Sequence, residues 1–433
     1  MASEPKWIPL EECLDALIDY RGKTPEKTES GVPLITAKVV KGGVIESPNE
    51  FIAEEAYIAW MRRGMPEVGD VLLTTEAPLG EVAQIRTAHI ALAQRIILLR
   101  GRKGLLHNGY LKYFFLSEDG RRSLESRASG TTVLGIKQSE LRRVEIPIIS
   151  YEDQVEIVMT LGALDDKIAL LRETNATLEA IAQAIFKSWF VDFDPVRAKA
   201  EGRDPEGVPP EMADLFPSEF EDSEMGAIPK GWKVDCFGGI AEILGGSTPS
   251  TKEPSYWAGG VHCWVTPKDL SGMDTPVLLE TERRITDSGL EKISSGLLPP
   301  GSVLLSSRAP IGYLAIAEIP VAINQGFIAM KPKNGMTNLY LLNLVRHRME
   351  DIKSHANGST FMEISKSAFR PIQVVAPPAP VVQAFDAIAR SHYDRLVLNQ
   401  KQVASLTELR DTLLPRLMSG KLRIIDAQEG LPV

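Results

Sequence analysis

Three cysteines in 433 residues (Cys13, Cys236 and Cys263) share no spacing motif. They are too few and too scattered for a disulfide framework, which makes the reducing cytoplasm the expected compartment. The six histidines are equally dispersed. His262 adjoins Cys263, but neighbouring positions do not give metal-ligand spacing, so His89, His107, His262, His347, His355 and His392 read as structural or surface residues. No apolar run approaches the ~18 residues of a membrane span, and Met1-Ala2-Ser3-Glu4-Pro5-Lys6 lacks a basic–apolar–small signal pattern. A Gly-x-x-x-x-Gly-Lys-Ser/Thr loop for ATP phosphates is missing. The pairs Gly42-Gly43, Gly238-Gly239, Gly245-Gly246 and Gly259-Gly260 read as turns, since none forms a dinucleotide fingerprint. Neither the Asn/Asp-Pro-Pro-aromatic signature of amino-methyltransferases nor a convincing paired-acid nuclease motif occurs. These absences point to a binding protein.

What the chain does have, it has twice. Gly69-Asp70-Val71-Leu72-Leu73-Thr74-Thr75-Glu76-Ala77-Pro78-Leu79-Gly80 returns 232 residues later as Gly301-Ser302-Val303-Leu304-Leu305-Ser306-Ser307-Arg308-Ala309-Pro310-Ile311-Gly312. Around it, Lys23-Thr24-Pro25 answers to Ser247-Thr248-Pro249, Ala93-Gln94 to Asn324-Gln325, and Gly130-Thr131-Thr132 to Gly358-Ser359-Thr360. Solenoid periods run to roughly 20–50 residues, so this is a duplicated domain. Two equivalent surfaces suit a partner with approximate two-fold symmetry, of which duplex DNA is the commonest.

The formal net charge of −9 is unevenly spread. Asp192 to Glu224 holds 11 acidic and 3 basic residues, whereas Arg100 to Arg143 holds ten basic and four acidic. A positive face survives inside an acidic chain.

Short apolar runs punctuated by Gly and Pro predict strands at Pro33–Ile35, Val71–Leu73 and Ile96–Leu99, and again at Val303–Leu305 and Phe327–Met330. Helices follow near Tyr110–Leu124 and Asn338–Lys353. Beyond each domain, apolar residues recur at alternating steps of three and four. The first series is Ile168, Leu171, Asn175, Leu178, Ala182, Ile185 and Trp189; the second is Leu396, Asn399, Val403, Leu406, Arg410, Leu413 and Leu417. Both are coiled-coil seams, in matching register 228 residues apart, and each carries one polar Asn. Matched register favours antiparallel pairing of the two helices over each lying on its own domain. A helix over residues 155–189 spans about 50 Å, enough to reach successive major-groove faces ~34 Å apart. The stretch between the first helix and the second domain, rich in Pro, Gly and acid, reads as mostly irregular.

Residues Leu178-Glu179-Ala180-Ile181-Ala182-Gln183-Ala184-Ile185-Phe186-Lys187-Ser188-Trp189-Phe190-Val191-Asp192-Phe193-Asp194-Pro195-Val196 are the most telling. With Leu409-Arg410-Asp411-Thr412-Leu413-Leu414-Pro415-Arg416-Leu417-Met418-Ser419-Gly420-Lys421-Leu422 and the repeated Thr-Pro and Gly-Thr/Ser-Thr motifs, they resemble the specificity (S) subunit of type I restriction–modification systems over essentially the full length. The resemblance implies an α+β, pseudo-two-fold protein with two duplicated β-rich target-recognition domains joined by two long antiparallel coiled-coil spacer helices. The expected segments are a first recognition domain at 1–149, a central spacer helix at 150–194, an acidic connector at 195–230, a second recognition domain at 231–377, a distal spacer helix at 378–425 and a tail at 426–433. It further implies double-stranded DNA, two methyltransferase subunits and restriction subunits as partners, with no membrane. Each domain would read one half of a split, asymmetric site. No cofactor is expected in this chain: S-adenosylmethionine would belong to the methyltransferase, and ATP and Mg²⁺ to the restriction partner. Two other readings stay open, a self-contained DNA-modifying or restriction enzyme with a diverged active site, and a coiled-coil scaffold that binds no DNA.

Phosphate contacts by Lys and Arg give affinity, while base-edge contacts discriminate sequence. The DNA-binding candidates in the first copy are therefore Arg21, Lys23, Thr24, Lys38, Lys41, Gln94, Thr131 and Lys137. In the second copy they are Thr248, Lys252, Lys268, Ser306, Ser307, Arg308, Asn324, Gln325, Thr360 and Lys366. Gln94, Asn324 and Gln325 are either adenine readers or local caps, and the helix-start residues are either phosphate contacts or ordinary N-caps. Trp189, Phe190 and Phe193, with Leu413 and Leu417, are either partner-subunit anchors or helix ends packing on their own domain.

Overall fold

The computed structural model describes residues 5–20, 24–130, 133–358 and 362–422. Arg21, Lys23, Thr131, Thr360 and the expected tail lie outside the described residues. The chain divides into two compact units, Met1–Ile168 with Ser405–Val433, and Ala169–Ala404.

The first unit is built on an antiparallel sheet in the order Leu14–Asp19, Ile96–Gly101, Val71–Thr75, Leu79–Gln84. Val71, Leu72, Leu73 and Ile96 through Leu99 are fully buried. Successive strand side chains point to opposite faces, so an unbroken apolar run means that both faces are covered. Val71, Leu73, Ile97 and Leu99 pack against the helix Asn108–Leu116. Leu72, Ile96 and Leu98 pack against a second sheet made of Phe51–Ile52, Val32–Ile35 and Ala91–Leu92.

The second unit repeats this plan. Its main sheet runs Ala241–Gly245, Phe327–Pro332, Val303–Ser307, Ile311–Ala317, Val277–Leu278. Its second sheet runs Arg283–Ile285, His262–Val265, Val321–Ile323. The repetition reaches single bonds. The buried Tyr110 donates its hydroxyl to the Pro147 carbonyl at 2.8 Å, and the buried Tyr340 donates to Val375 at 3.2 Å. Ala77–Pro78 and Ala309–Pro310 are both cis.

Two forty-residue helices, Tyr151–Phe190 and Ala379–Met418, contribute to both units. In the first unit Ile157 and Leu161 share a core with Leu414, Leu417 and Met418, and Arg410 Nη1 meets Asp165 Oδ1 at 3.1 Å. In the second, Phe186 packs edge-on to Phe385 at 5.9 Å between ring centres, and Asn399 Nδ2 donates to Asn175 Oδ1 at 2.8 Å. Rising numbers on one helix meet falling numbers on the other in each unit, so the pairing is antiparallel, as the matched register predicts. Both asparagines are 1% exposed, which places them in the seam.

The connector departs from expectation. It forms helices at Asp194–Ala200 and Pro210–Ala213 and a hairpin of Phe220–Ser223 with Gly226–Pro229. Val196, Phe216 and Ile228 anchor it in the core of the second unit. Apolar burial of about 1.5–3 kcal/mol per large side chain orders a segment that its composition alone leaves open.

Candidate nucleic-acid interface

In each unit a threonine and a glutamine from separate repeated motifs meet. Thr24 and Gln94 are joined by a 3.2 Å bond from Gln94 Nε2 to the Thr24 hydroxyl. Their counterparts form the same pair, with the Thr248 hydroxyl bonded to Gln325 Oε1. Each glutamine follows a strand of the second sheet and precedes an interior strand of the first. Strand geometry therefore fixes where its amide emerges. In the second unit a Cβ on Gly246 would lie 1.8 Å from the Ile323 carbonyl. Only glycine lets the chain run this close to the neighbouring strand and bring Thr248 to Gln325.

A cavity of about 390 Å³ opens beside Gln94. Thr75, Glu76, Arg95, Ser129 and Lys137 line it as well, so Gln94 and Lys137 from distant motifs share one wall. In the second unit Asn324 Oδ1 accepts from the Gly326 amide at 2.8 Å, the local-cap alternative. Pro267, next to Lys268, lies against Gly326, and the Lys366 stem lies over Gly245. Lys268 is exposed and engaged by Glu282 at 2.8 Å, which holds its ammonium above the ordinary lysine value. Lys252 is exposed in a turn. Lys137 stands at the N-cap of helix Gln138–Leu141, whereas Lys366 is the first residue of helix Lys366–Phe369, with Ser365 as its cap.

Lys38 is exposed in a turn, and Lys41 is exposed in the hairpin that follows it. Lys41 bonds Glu46 at 3.0 Å, and Gly43, in the same hairpin, lines a different cavity with Lys112, Tyr113 and Asp165. That cavity sits over an ion-pair cluster. Asp165 accepts from Lys112 and Tyr113 at 3.1 and 2.7 Å and meets Arg410. Burial pushes the Asp165 carboxyl upward, but Lys112, the Tyr113 hydroxyl and Arg410 outweigh it and hold the group below its ordinary value. The Tyr113 hydroxyl is raised, by burial first and then by the adjacent carboxylate. Burial raises the Cys13 thiol to about 11, so this cysteine is an unreactive core residue.

Several expectations need correction. Ser306 and Ser307 are 0% and 3% exposed, so neither side chain is presented at the surface as a DNA contact would need. Ser306 Oγ instead accepts from the Gly312 and Tyr313 amides and donates to the Pro310 carbonyl, closing the turn. Thr74 does the same work in the first copy by accepting from the Glu81 amide. Trp189 and Phe190 lie inside the second unit's core, at 1% and 8% exposure, among Phe216, Tyr340 and Phe385. Phe193 packs on Phe220 and Trp232, while Leu413 and Leu417 belong to the first unit's core. Trp189, Phe190 and Leu417 are therefore used in packing within the chain, whereas Phe193 and Leu413 are only partly buried.

Some contributors escaped the sequence reading. Trp264 and Trp257 donate their indole N–H groups to the Ser247 and Ser250 carbonyls, at 3.3 and 3.0 Å, pinning the loop that carries Thr248. Arg283 lies over the Trp257 ring at 3.7 Å. Nothing in the spacing of these residues marks them, because Trp257 comes from a turn and Trp264 and Arg283 from two different strands. Among the described residues, no three His, Cys, Asp or Glu side chains group as a metal site, and no helix is long and apolar enough to cross a membrane.

Comparison with known proteins gives a consistent answer. The family described as type I restriction modification DNA specificity domain matches residues 16–180 and 229–408, each match taking in one β-rich domain and much of the long helix that follows it. The type I restriction enzyme MjaIX specificity subunit of Methanocaldococcus jannaschii is 28% identical over 377 residues, covering 86% of this chain and 82% of its own. The HindI specificity subunit of Haemophilus influenzae is 28% identical over 377 residues, with 77% and 78% covered. The solved structure of a type I restriction–modification S subunit from M. genitalium superposes with a TM-score of 0.56 at 18% identity, covering 95% of this chain and 96% of that one. That last likeness is one of fold.

Proposed function

The chain belongs to the type I restriction–modification DNA specificity family, and from that premise we propose that it reads a bipartite DNA site for methyltransferase and restriction subunits that carry the chemistry. It is a recognition subunit and performs no covalent step itself. Each recognition domain takes one half of an asymmetric site, and the two long helices set the spacing between halves. Two methyltransferase subunits supply S-adenosylmethionine, and restriction subunits add ATP and Mg²⁺.

One observation carries this reading: the same Thr–Gln pair stands at the same place in both units, at Thr24–Gln94 and Thr248–Gln325. A feature duplicated to this detail and left on the surface fits a ligand that offers two comparable faces. The docking of two methyltransferases draws support from Leu170 and Leu398. These residues stand 228 positions apart on the two helices and are 55% and 58% exposed, so an apolar contact is offered in duplicate.

Co-expression with its methyltransferase followed by methylation mapping tests the proposal. The expected motif is two unlike halves separated by a fixed unread gap. A continuous palindrome, or methyl transfer by the chain alone, would refute it.

A further inference from the structure

The two recognition sites share a framework but differ in where their charges come from. In the first unit Glu76 bridges Gly135, which bridges Ser129; in the second, Arg308 bridges Glu363, which bridges Asn357. These triples coincide under the repeat, so positions 76 and 308 are equivalent, as are 135 and 363. Each unit places one guanidinium–carboxylate pair on this framework. The first does so with Arg95 Nε on Glu76 Oε1 at 2.8 Å, the second with Arg308 Nη1 and Glu363 Oε2 at 3.7 Å. The pair is thus assembled from different positions with reversed polarity. The residue after the glutamine is Arg95 in one copy and Gly326 in the other. A Cβ on Gly326 would sit 3.6 Å from Arg308 Nε, so the Arg308 side chain occupies the space from which Arg95 projects in the first copy.

Resting on the function proposed above, we propose that Arg95 and Arg308 are the guanine-reading side chains of the first and second recognition domains, each oriented by its carboxylate beside a threonine-pinned glutamine. Both arginines keep solvent exposure, at 51% and 37% of the side chain. Arg95 also holds a left-handed backbone with φ of 74°, a conformation that costs free energy in a non-glycine residue and collects at functional sites. A phosphate contact is served best by an unaccompanied cation, because an adjacent carboxylate repels the phosphate. A base edge carries no such charge. A guanidinium steadied on one side by Glu76 keeps its terminal nitrogens for the O6 and N7 acceptors of guanine. The neighbouring glutamine amide supplies the pattern suited to adenine. The reversed polarity sets the reading arginine at a different position on the shared framework in each unit, so the guanine need not fall at the same place in the two halves.

The test uses the assembled complex with its methyltransferase and a duplex library in which each site position is varied. Arg95→Ala should remove about ten- to a hundred-fold preference for guanine at one position of one half. The other half should be unchanged, and Arg308→Ala should give the converse. Arg95→Lys keeps the charge without the fork and should relax the same position; if the alanine variant fails to assemble, the lysine variant decides alone. Placing 7-deazaguanine at that position should weaken the wild type about as much as the substitution does, and should leave Arg95→Ala indifferent. A uniform loss of affinity with base preferences intact, or no change at all, overturns the proposal. A wild-type complex that selects no split site would instead overturn the functional reading beneath it.

Discussion

Asn399 donates its amide to Asn175 across the helix seam at 2.8 Å, and each of these residues is all but sealed from solvent. Two polar groups meeting in an otherwise apolar seam favour the register in which they face one another. Changing Asn175 alone to Leu leaves a buried amide without its partner and should cost about 1–3 kcal/mol in denaturant unfolding. Changing both to Leu should recover most of that loss, because no polar group is then stranded. Equal destabilisation by the single and double variants would show that the bond does not hold the register.

The Asp165 cluster makes a pH prediction. The folded-state carboxyl is held below its unfolded value. Its contribution is therefore present in full above the unfolded value near pH 4 and is lost as pH falls through the folded one. Asp165→Asn should lower stability at neutral pH by about 1–3 kcal/mol, since the site keeps some solvent access. The variant should also lose less stability than the wild type below about pH 4. Parallel melting curves against pH would count against the assignment.

Lys137 and Lys366 are exposed beside their units' recognition turns. If they neutralise phosphate, replacing either with Ala should reduce the salt dependence of binding by roughly one unit in the logarithmic slope, without altering the preferred sequence. An unchanged slope would remove that residue from the interface.

Inserting four residues, about one turn, into both long helices should shift the gap between half-sites while leaving each half as it was. Exchanging residues 1–149 for another specificity subunit's first domain should change one half only. Methylation mapping reads both outcomes, and an unaltered gap would show that the helices do not set it.

The helix seam and the central strands were legible because their signals are periodic. Steps of three and four placed Ile168, Leu171 and Asn175 correctly, and unbroken apolar runs announced strands covered on both faces. Single polar residues were not legible. Ser306 in a repeated Ser-Ser motif looks the same whether it faces DNA or closes a turn, and only the fold shows the turn amides pointing at it. Trp189 marks a helix end that must be covered, but its pattern does not say by what. Arg95 was overlooked because its counterpart is Gly326: repetition reveals what two copies share and hides what one copy acquired. The connector's anchors, Val196, Phe216 and Ile228, are too sparse to form a period.

The core of the first unit is completed by Leu414, Leu417 and Met418, which the ribosome adds some 250 residues after the preceding part of that core. The first domain therefore gains its last core contacts only after the whole of the second has been translated. A chain cut short before Leu414 should leave that core open on one side and the first unit less stable, which denaturant unfolding of the truncated chain would read.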